Sequence, residues 1–226
     1  MSTVRLTHVG GPTVVLEVEG WRILTDPTFD PPGGTYRFGL GTSSRKLSGP
    51  AVPAGELGPI DAALVSHHHH GGNLDAAGRG LLAGAGTVIT TTAGARDLGG
   101  GAVGLVPSAT HRLEAPGRPA IEVTATPCRH GPPLSRPIVG DVIGFALAWE
   151  GQGRGVLWIS GDTVLYEGVR EVARRLAVDL AILHLGAVRF ALTGPIRYSM
   201  SAHDAVDLVR LLRGSGWSRA ARPSRS

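Results

Sequence analysis

The chain has 226 residues, 42% hydrophobic and 18% charged, enough apolar content for one sizeable core and no reason to expect two domains. Its net charge of +4 is accompanied by a terminal arginine cluster, Arg213, Arg219, Arg222 and Arg225, which reads as a solvated tail; the lack of a basic stripe with interleaved aromatics argues against a nucleic-acid partner. A single cysteine, Cys128, excludes an intramolecular disulfide, every apolar run is too short to span a membrane, and no signal-like start is visible, so a cytoplasmic location is expected.

Antiparallel hairpins open the chain. Val4 to Val9 alternates like a half-buried strand and turns at Gly10-Gly11-Pro12. Thr13 to Val18 is the next strand, and Trp21 to Thr25 returns after Glu19-Gly20 and halts at Asp26-Pro27. From Phe29 to Pro59 the residues are rich in Gly, Pro and Ser without periodicity, which predicts a long ordered loop placed to roof a pocket. Asp61 to Ser66 is a buried strand that runs into His67, His68, His69 and His70, followed by a short helix over 73–82 capped by Asn73.

Thr87 to Thr91 is a β-branched strand and Ala102 to Val106 another, while Ala120 to Thr126 alternates until Pro127, with His130 just beyond. Val142 to Trp149 and Val156 to Ser160 are strands around a glycine turn, the second ending in Gly161-Asp162-Thr163. Glu167 to Leu176 has helical spacing, and Leu180 to Leu183 is a short strand leading to His184. Ala202 to Leu212 is an amphipathic helix with Ala205, Val206, Val209 and Leu212 on one face. The pattern then stops, which predicts a domain over residues 1–213 and a disordered basic tail over 214–226. Hairpins interspersed with helices predict an α/β fold, two mixed β-sheets sandwiched between helices in four layers.

Neutral imidazole and carboxylate are the ligands of zinc and similar divalent ions in sites that keep a position open. The histidine run, His130 and Asp162 all follow predicted strands, so one edge of the sheets can gather them. Four successive histidines inside the chain, directly after a strand, read as ligands rather than as a tag, and His130 reads the same way. Asp162 has a rival reading as turn chemistry in Gly-Asp-Thr. His8, His111 and His203 are read as non-ligands and His184 is left open. Asp26, before Pro27, is expected to anchor its loop rather than act as an acid, and Cys128 to be structural.

Four segments together resemble the metallo-β-lactamase superfamily, most closely its lactonase-like metal-dependent hydrolases, the group that includes ascorbate-6-phosphate lactonase. They are Thr13-Val14-Val15-Leu16-Glu17 with Leu24-Thr25-Asp26-Pro27, the Ser66-His67 loop, Thr126-Pro127-Cys128-Arg129-His130-Gly131-Pro132, and Ile159-Ser160-Gly161-Asp162-Thr163. The resemblance implies a four-layer αβ/βα sandwich with a metal site at one edge. It carries the family's H-x-H-x-D-H signature onto the histidine loop, its next metal-binding histidine onto His130, and its metal-bridging aspartate onto Asp162. Three registers of the loop are open: His67 with His69, His68 with His70, or His67 with His70 across an insertion. None supplies the signature aspartate, because Gly71, Gly72 or Asn73 stands at the second-metal positions.

The family's closing strand with a last histidine gives way here to a Ser/Arg-rich tail, which implies a shortened C-terminus and an exposed sheet edge. The expected ligand set is His67, His68, His70, His130 and Asp162, with Asp162 also the catalytic carboxylate, around one or two Zn2+ ions or, given the mixed donors, Mn2+ or Fe2+. The implied reaction is metal-dependent hydrolysis, by a metal-bound hydroxide, of a small ester, lactone or phosphate-bearing substrate. The alternative is an impaired or inactive remnant that binds metal without turnover. Expected partners are the small-molecule substrate and, through the open edge, a second copy of the chain as a homo-oligomer, with no membrane association.

Overall fold

The computed structural model describes residues 3–39, 42–133 and 135–213. Strands β1 (Arg5–Gly10), β2 (Thr13–Val18) and β3 (Trp21–Thr25) form an antiparallel meander. Glu19 and Gly20 both take positive φ, 48° and 80°, the backbone twist that a two-residue hairpin turn demands. A separate hairpin of β4 (Thr35–Gly39) and β5 (Thr42–Arg45) follows. Strands β6 (Ala62–Leu64), β7 (Thr87–Thr91) and β8 (Val103–Leu105) then add in parallel to β3, giving a six-stranded mixed sheet in the order β1-β2-β3-β6-β7-β8.

The second sheet is made by β9 (Thr110–Leu113), β10 (Ile121–Pro127), β11 (Ile143–Trp149), β12 (Val156–Ile159) and β13 (Val178–Ile182), in the order β13-β12-β11-β10-β9. It is antiparallel except that β13 runs parallel to β12. The inward faces of the two sheets meet in a core that includes Leu16, Ile23, Leu64 and Ile89 from the first and Ile121, Val123, Phe145, Leu147 and Ile159 from the second. Each such side chain contributes roughly 1.5–3 kcal/mol by leaving water.

Helices cover the outer faces. α1 (Ala76–Leu81) and α2 (Thr92–Leu98) lie on the first sheet's side, where Leu81 packs on Val9, Val15, Leu24, Phe29 and Leu57. A four-residue helix, α3 (Arg136–Val139), sits between β10 and β11 in the chain. α4 (Glu167–Arg175) and α5 (Ala202–Leu212) bury Val169, Val172, Leu208 and Leu212 against Trp158 and Ala146 of the second sheet. The expected α/β architecture of two mixed sheets between helices is therefore the one observed.

Several details differ from the sequence reading. The stretch 29–59 is not a plain loop but holds the β4–β5 hairpin, whose short polar strands carry too few apolar residues to show a period. Helix α1 starts later than expected, because Asp75 and not Asn73 is its N-cap; Asp75 accepts from the Gly78 N–H at 2.8 Å, while the Asn73 amide donates to the Ser66 hydroxyl. Helix α2 is only two turns long and mixes Ala, Arg and Leu with the weak helix formers Thr92 and Gly94; it is started by the Thr91 hydroxyl accepting from Gly94 N–H at 2.9 Å. On α5 Leu208 is buried and Val206 is 49% exposed, so the buried face is Ala205, Leu208 and Leu212. No helix among the described residues is long and apolar enough to cross a membrane. The predicted tail over 214–226 lies outside the described residues.

Candidate metal centre

The backbone entering the histidine run is held from three directions. Val65 N–H bonds Ile89 of the neighbouring strand at 2.9 Å, and the Ser66 carbonyl accepts from Ile143 N–H of the second sheet at 3.1 Å. The Ser66 N–H donates to Asp26 Oδ1 at 2.7 Å. Asp26 is fully buried and holds a positive φ of 34°, unusual for a residue with a side chain. Its side chain thus anchors the start of the histidine run, not the loop after Asp26-Pro27 that the sequence suggested.

The four histidines then point in different directions. His67 and His70 turn inward and meet His130, with Nε2 to Nε2 distances of 2.9 Å for His67 and His70 and 3.4 Å for His70 and His130. All three donor atoms lie within 4.8 Å of one another. His68 turns away, its Nε2 bonded to Asp97 Oδ2 at 2.7 Å, and the exposed His69 ring lies where a Cβ on Gly140 would otherwise stand. Of the three registers open in the sequence, the structure adopts the one that pairs His67 with His70, and Gly72 and Asn73 follow where the signature has metal-binding side chains.

Burial pushes the His67 pKa well below the ordinary value, helped by the charges of His70 and His130. Burial, again with His130, takes His70 down to about 4. Both are therefore neutral at physiological pH, the form that ligates cations. His130 Nδ1 lies 2.7 Å from the Tyr198 carbonyl, so it carries the proton and leaves the Nε2 lone pair facing the cluster. His67 Nδ1 lies 3.0 Å from the Ser66 hydroxyl, which can take its proton in the same sense. His70 Nδ1 accepts from Gly72 N–H at 3.2 Å, which puts its proton on Nε2; holding a cation moves that proton to Nδ1. The donor set fits a divalent ion with this one tautomer change.

Asp162 stands beside this trio rather than within it. It follows β12 through Gly161, at φ 63°, and its Oδ1 accepts from His184 Nδ1 at 3.2 Å. Burial pushes its pKa up, but the His184 hydrogen bond and the charges of His184, His67 and His130 outweigh that and hold it well below the usual carboxylate range. His184, left open by the sequence, follows β13 and joins Asp162 to Asp26, whose Oδ2 is 3.8 Å from the same ring nitrogen. Burial lowers the His184 pKa, yet the bond to Asp162 and the charges of Asp26 and Asp162 raise it overall. Burial dominates at Asp26 and pushes it up to about 7, against the lowering effect of His184. Asp26 Oδ2 and His184 Nε2 are buried without hydrogen-bond partners among the described residues. Cys128 donates from Sγ to the Ser160 carbonyl at 2.9 Å, and burial raises its thiol pKa well above the ordinary value, which suits a structural role.

His8 bonds the Gly11 carbonyl, and neither it, His111 nor His203 joins the cluster. Of the expected set, His67, His70 and His130 are brought together, Asp162 is adjacent and His68 is turned out. His68 differs because it faces the opposite side of the chain from His67, where Asp97 on α2 takes it, while the bend at residues 69–70 brings His70 back beside His67. A cavity of about 420 Å3 opens over the cluster, lined by His70, Gly72, Asn73, His130 and Asp162 and by Phe38, Phe190 and Tyr198. Those three aromatic residues were not legible as site residues, because each lies in a loop or hairpin without a motif. Tyr198 can lie against the metal loop because Gly131, at φ +95°, has no Cβ; one there would sit 2.7 Å from the tyrosine ring.

A family model described as the beta-lactamase superfamily domain matches residues 21–216. No curated protein matches the chain in sequence. Similar solved structures include the isothiocyanate hydrolase from Delia radicum gut bacteria, 20% identical with a TM-score of 0.72 over 93% of this chain and 81% of that one. A possible metal-dependent hydrolase from Veillonella parvula is 19% identical, with a TM-score of 0.77 over 96% of this chain and 83% of its own. A metallo hydrolase from the hyperthermophilic archaeon Ignicoccus hospitalis is 19% identical, with a TM-score of 0.67 over 93% and 78% respectively. At such identities the likeness concerns the fold, and function has to be argued from the site.

Proposed function

The chain belongs to the β-lactamase superfamily, and from that premise we propose that it is a metal-dependent hydrolase of small molecules in which His67, His70 and His130 hold the ion. The observation that carries this reading is the convergence of three Nε2 atoms, two of them on His67 and His70, imidazoles whose neutral form desolvation favours. An ion held there supplies Lewis acidity and brings the ionisation of water toward neutral pH. Zinc suits an imidazole set, and the adjacent carboxylate also admits manganese or iron.

The chain's own groups have separate tasks. The Tyr198 carbonyl fixes the tautomer of His130. Asp162, anionic at neutral pH, accepts a proton or hydrogen bond from a reacting group in the cavity. His184 orients that carboxylate by donating to one of its oxygens. Small esters, lactones and phosphate-bearing compounds are the substrate types such a site serves. A second reading, a remnant that binds metal without turnover, rests on Gly72 and Asn73 lining the cavity where the family signature has acidic and imidazole side chains.

The test starts with metal analysis of untagged protein purified without nickel resin, followed by hydrolysis assays on esters, lactones and phosphoesters. About one equivalent of ion and turnover that is lost with chelator and restored by zinc or manganese is the expected result. His130→Ala is expected to lose both ion and turnover, and full occupancy in that variant overturns the ligand assignment. Bound metal with no turnover on any of the three substrate classes establishes the second reading.

A further inference from the structure

The aromatic residues of this chain are few, four phenylalanines, three tyrosines and four tryptophans, so their placement is informative. Phe29 and Phe145 are core residues, but Phe38, Phe190 and Tyr198 all face the cavity above the histidine cluster. Their rings form an arc, with centroids 5.3 Å apart for Phe38 and Phe190 and 5.2 Å for Phe190 and Tyr198. The arc ends on two of the clustered imidazoles: Phe38 is edge-on to His70 at 4.7 Å, and Tyr198 is edge-on to His130 at 6.1 Å. His70 and His130 are 5.6 Å apart, which closes a circuit of five rings.

Both halves of the arc rest on bonded frames. Phe38 sits on the β4–β5 hairpin. Phe190 and Tyr198 belong to a loop closed by Tyr198 N–H to the Val188 carbonyl at 2.9 Å and Gly186 N–H to the Met200 carbonyl at 3.1 Å, with Met200 fully buried. Charge is sparse on this cavity. Its charged lining residues are Asp162 and Arg189, and Arg189 is exposed. Arg96, Arg129 and Arg136 line a different cavity, where Arg136 is already paired with Asp141. A phosphate is ordinarily met by several converging cationic side chains, and among the described residues this cavity offers only the exposed Arg189.

We infer that the substrate is an uncharged ester or lactone bearing an aromatic group, and that Phe38, Phe190 and Tyr198 determine this specificity by packing on that group. This rests on the hydrolase reading above and narrows it against phosphate-bearing compounds. The volume of about 420 Å3 falls at the small end of ligand pockets, enough for one ring and a short acyl part. Stacked and edge-on ring contacts favour an aryl group over an alkyl group of similar polarity.

Two measurements on zinc-loaded protein separate the inference from its premise. The first compares binding of unreactive benzamide and acetamide by calorimetry. Benzamide is expected to bind at least about ten-fold more tightly, ~1.4 kcal/mol, with the preference reduced in Phe190→Leu and abolished in Phe190→Ala. The second compares hydrolysis of phenyl acetate, methyl acetate and 4-nitrophenyl phosphate, with phenyl acetate expected to have the highest kcat/KM and Phe190→Ala to raise its KM more than it changes kcat. Equal binding of the two amides, or preference for the phosphate ester, overturns the inference. Tight benzamide binding without any hydrolysis overturns the hydrolase premise and leaves the aryl site standing. Turnover of all three esters without an aryl preference does the reverse.

Discussion

Replacing Asp75 by alanine should destabilise the protein far more than an average helix-cap substitution. Its Oδ1 accepts from Phe29 N–H at 2.9 Å and Gly78 N–H at 2.8 Å, and its Oδ2 from Asp30 N–H at 2.7 Å, Lys46 Nζ at 2.9 Å and the Tyr36 hydroxyl at 3.4 Å. The carboxylate side chain is completely inaccessible to solvent. Losing the cap on α1 costs about 1 kcal/mol, and the orphaned N–H groups of Phe29 and Asp30 add about 1–3 kcal/mol each before water relieves them, so ~3–5 kcal/mol in all is expected. At about 2–4 °C per kcal/mol for a chain of this size, Tm should fall by at least 6 °C. Urea unfolding followed by tryptophan fluorescence should show a lower midpoint at unchanged slope. Asp75→Asn, which keeps one acceptor oxygen, should fall between the two. Burial pushes the Asp75 pKa up, but the N–H donors of Asp30, Gly78 and Phe29 and the Lys46 ammonium hold it below 3.8. As pH falls below that value the unfolded chain takes the proton first, so the gap between wild type and Asp75→Asn should narrow there. An Asp75→Ala variant within about 0.5 kcal/mol of wild type would refute the assignment of this carboxylate as the knot joining loop, hairpin and helix.

Other outcomes follow from the same geometry. His68→Ala should keep its metal, because His68 turns away from the cluster to Asp97; metal loss as complete as in His130→Ala would return His68 to the ligand set. Metal-stripped protein should lose stability as pH falls from 6.5 toward 4, since the unfolded chain protonates His70 near 6.5 and the folded protein only near 4. Asp26, raised to about 7, opposes this over the same range, because its contribution weakens as pH rises. The informative quantity is therefore the difference in pH slope between wild type and His70→Asn, and a zero difference across that window contradicts a desolvated, neutral His70.

The strands that could be read from sequence were those with dense apolar and β-branched runs, such as Thr13–Val18 and Ile143–Trp149, and α5 was bounded by its apolar stripe, at whose start Ser201 and Asp204 form a capping box. What escaped was built from tertiary contact. The β4–β5 hairpin is held by Lys46 and Tyr36 reaching Asp75, about thirty and forty residues away, a connection that no local pattern records. At the site, strand ends identified the loops whose histidines the structure brings together, but the register of four identical residues could not be chosen without knowing which neighbours lie behind them. Asp97 on one side and His130 on the other make that choice. His184 was under-read for a related reason: its partner Asp162 is twenty-two positions away and meets it only through the parallel pairing of β12 with β13.

The divided orientation of the histidine run also makes it a gauge of folding. Within the run His67 and His68 are buried, His70 is half-buried, and only His69 is exposed, so in the native protein a bulky resin-bound nickel chelate meets one imidazole of the run, besides the separate exposed His8 and His203. On unfolding all four become available to the same chelate. Retention on such a resin therefore rises with the unfolded fraction, and a tagless preparation eluted from it is enriched in molecules that have lost their structure.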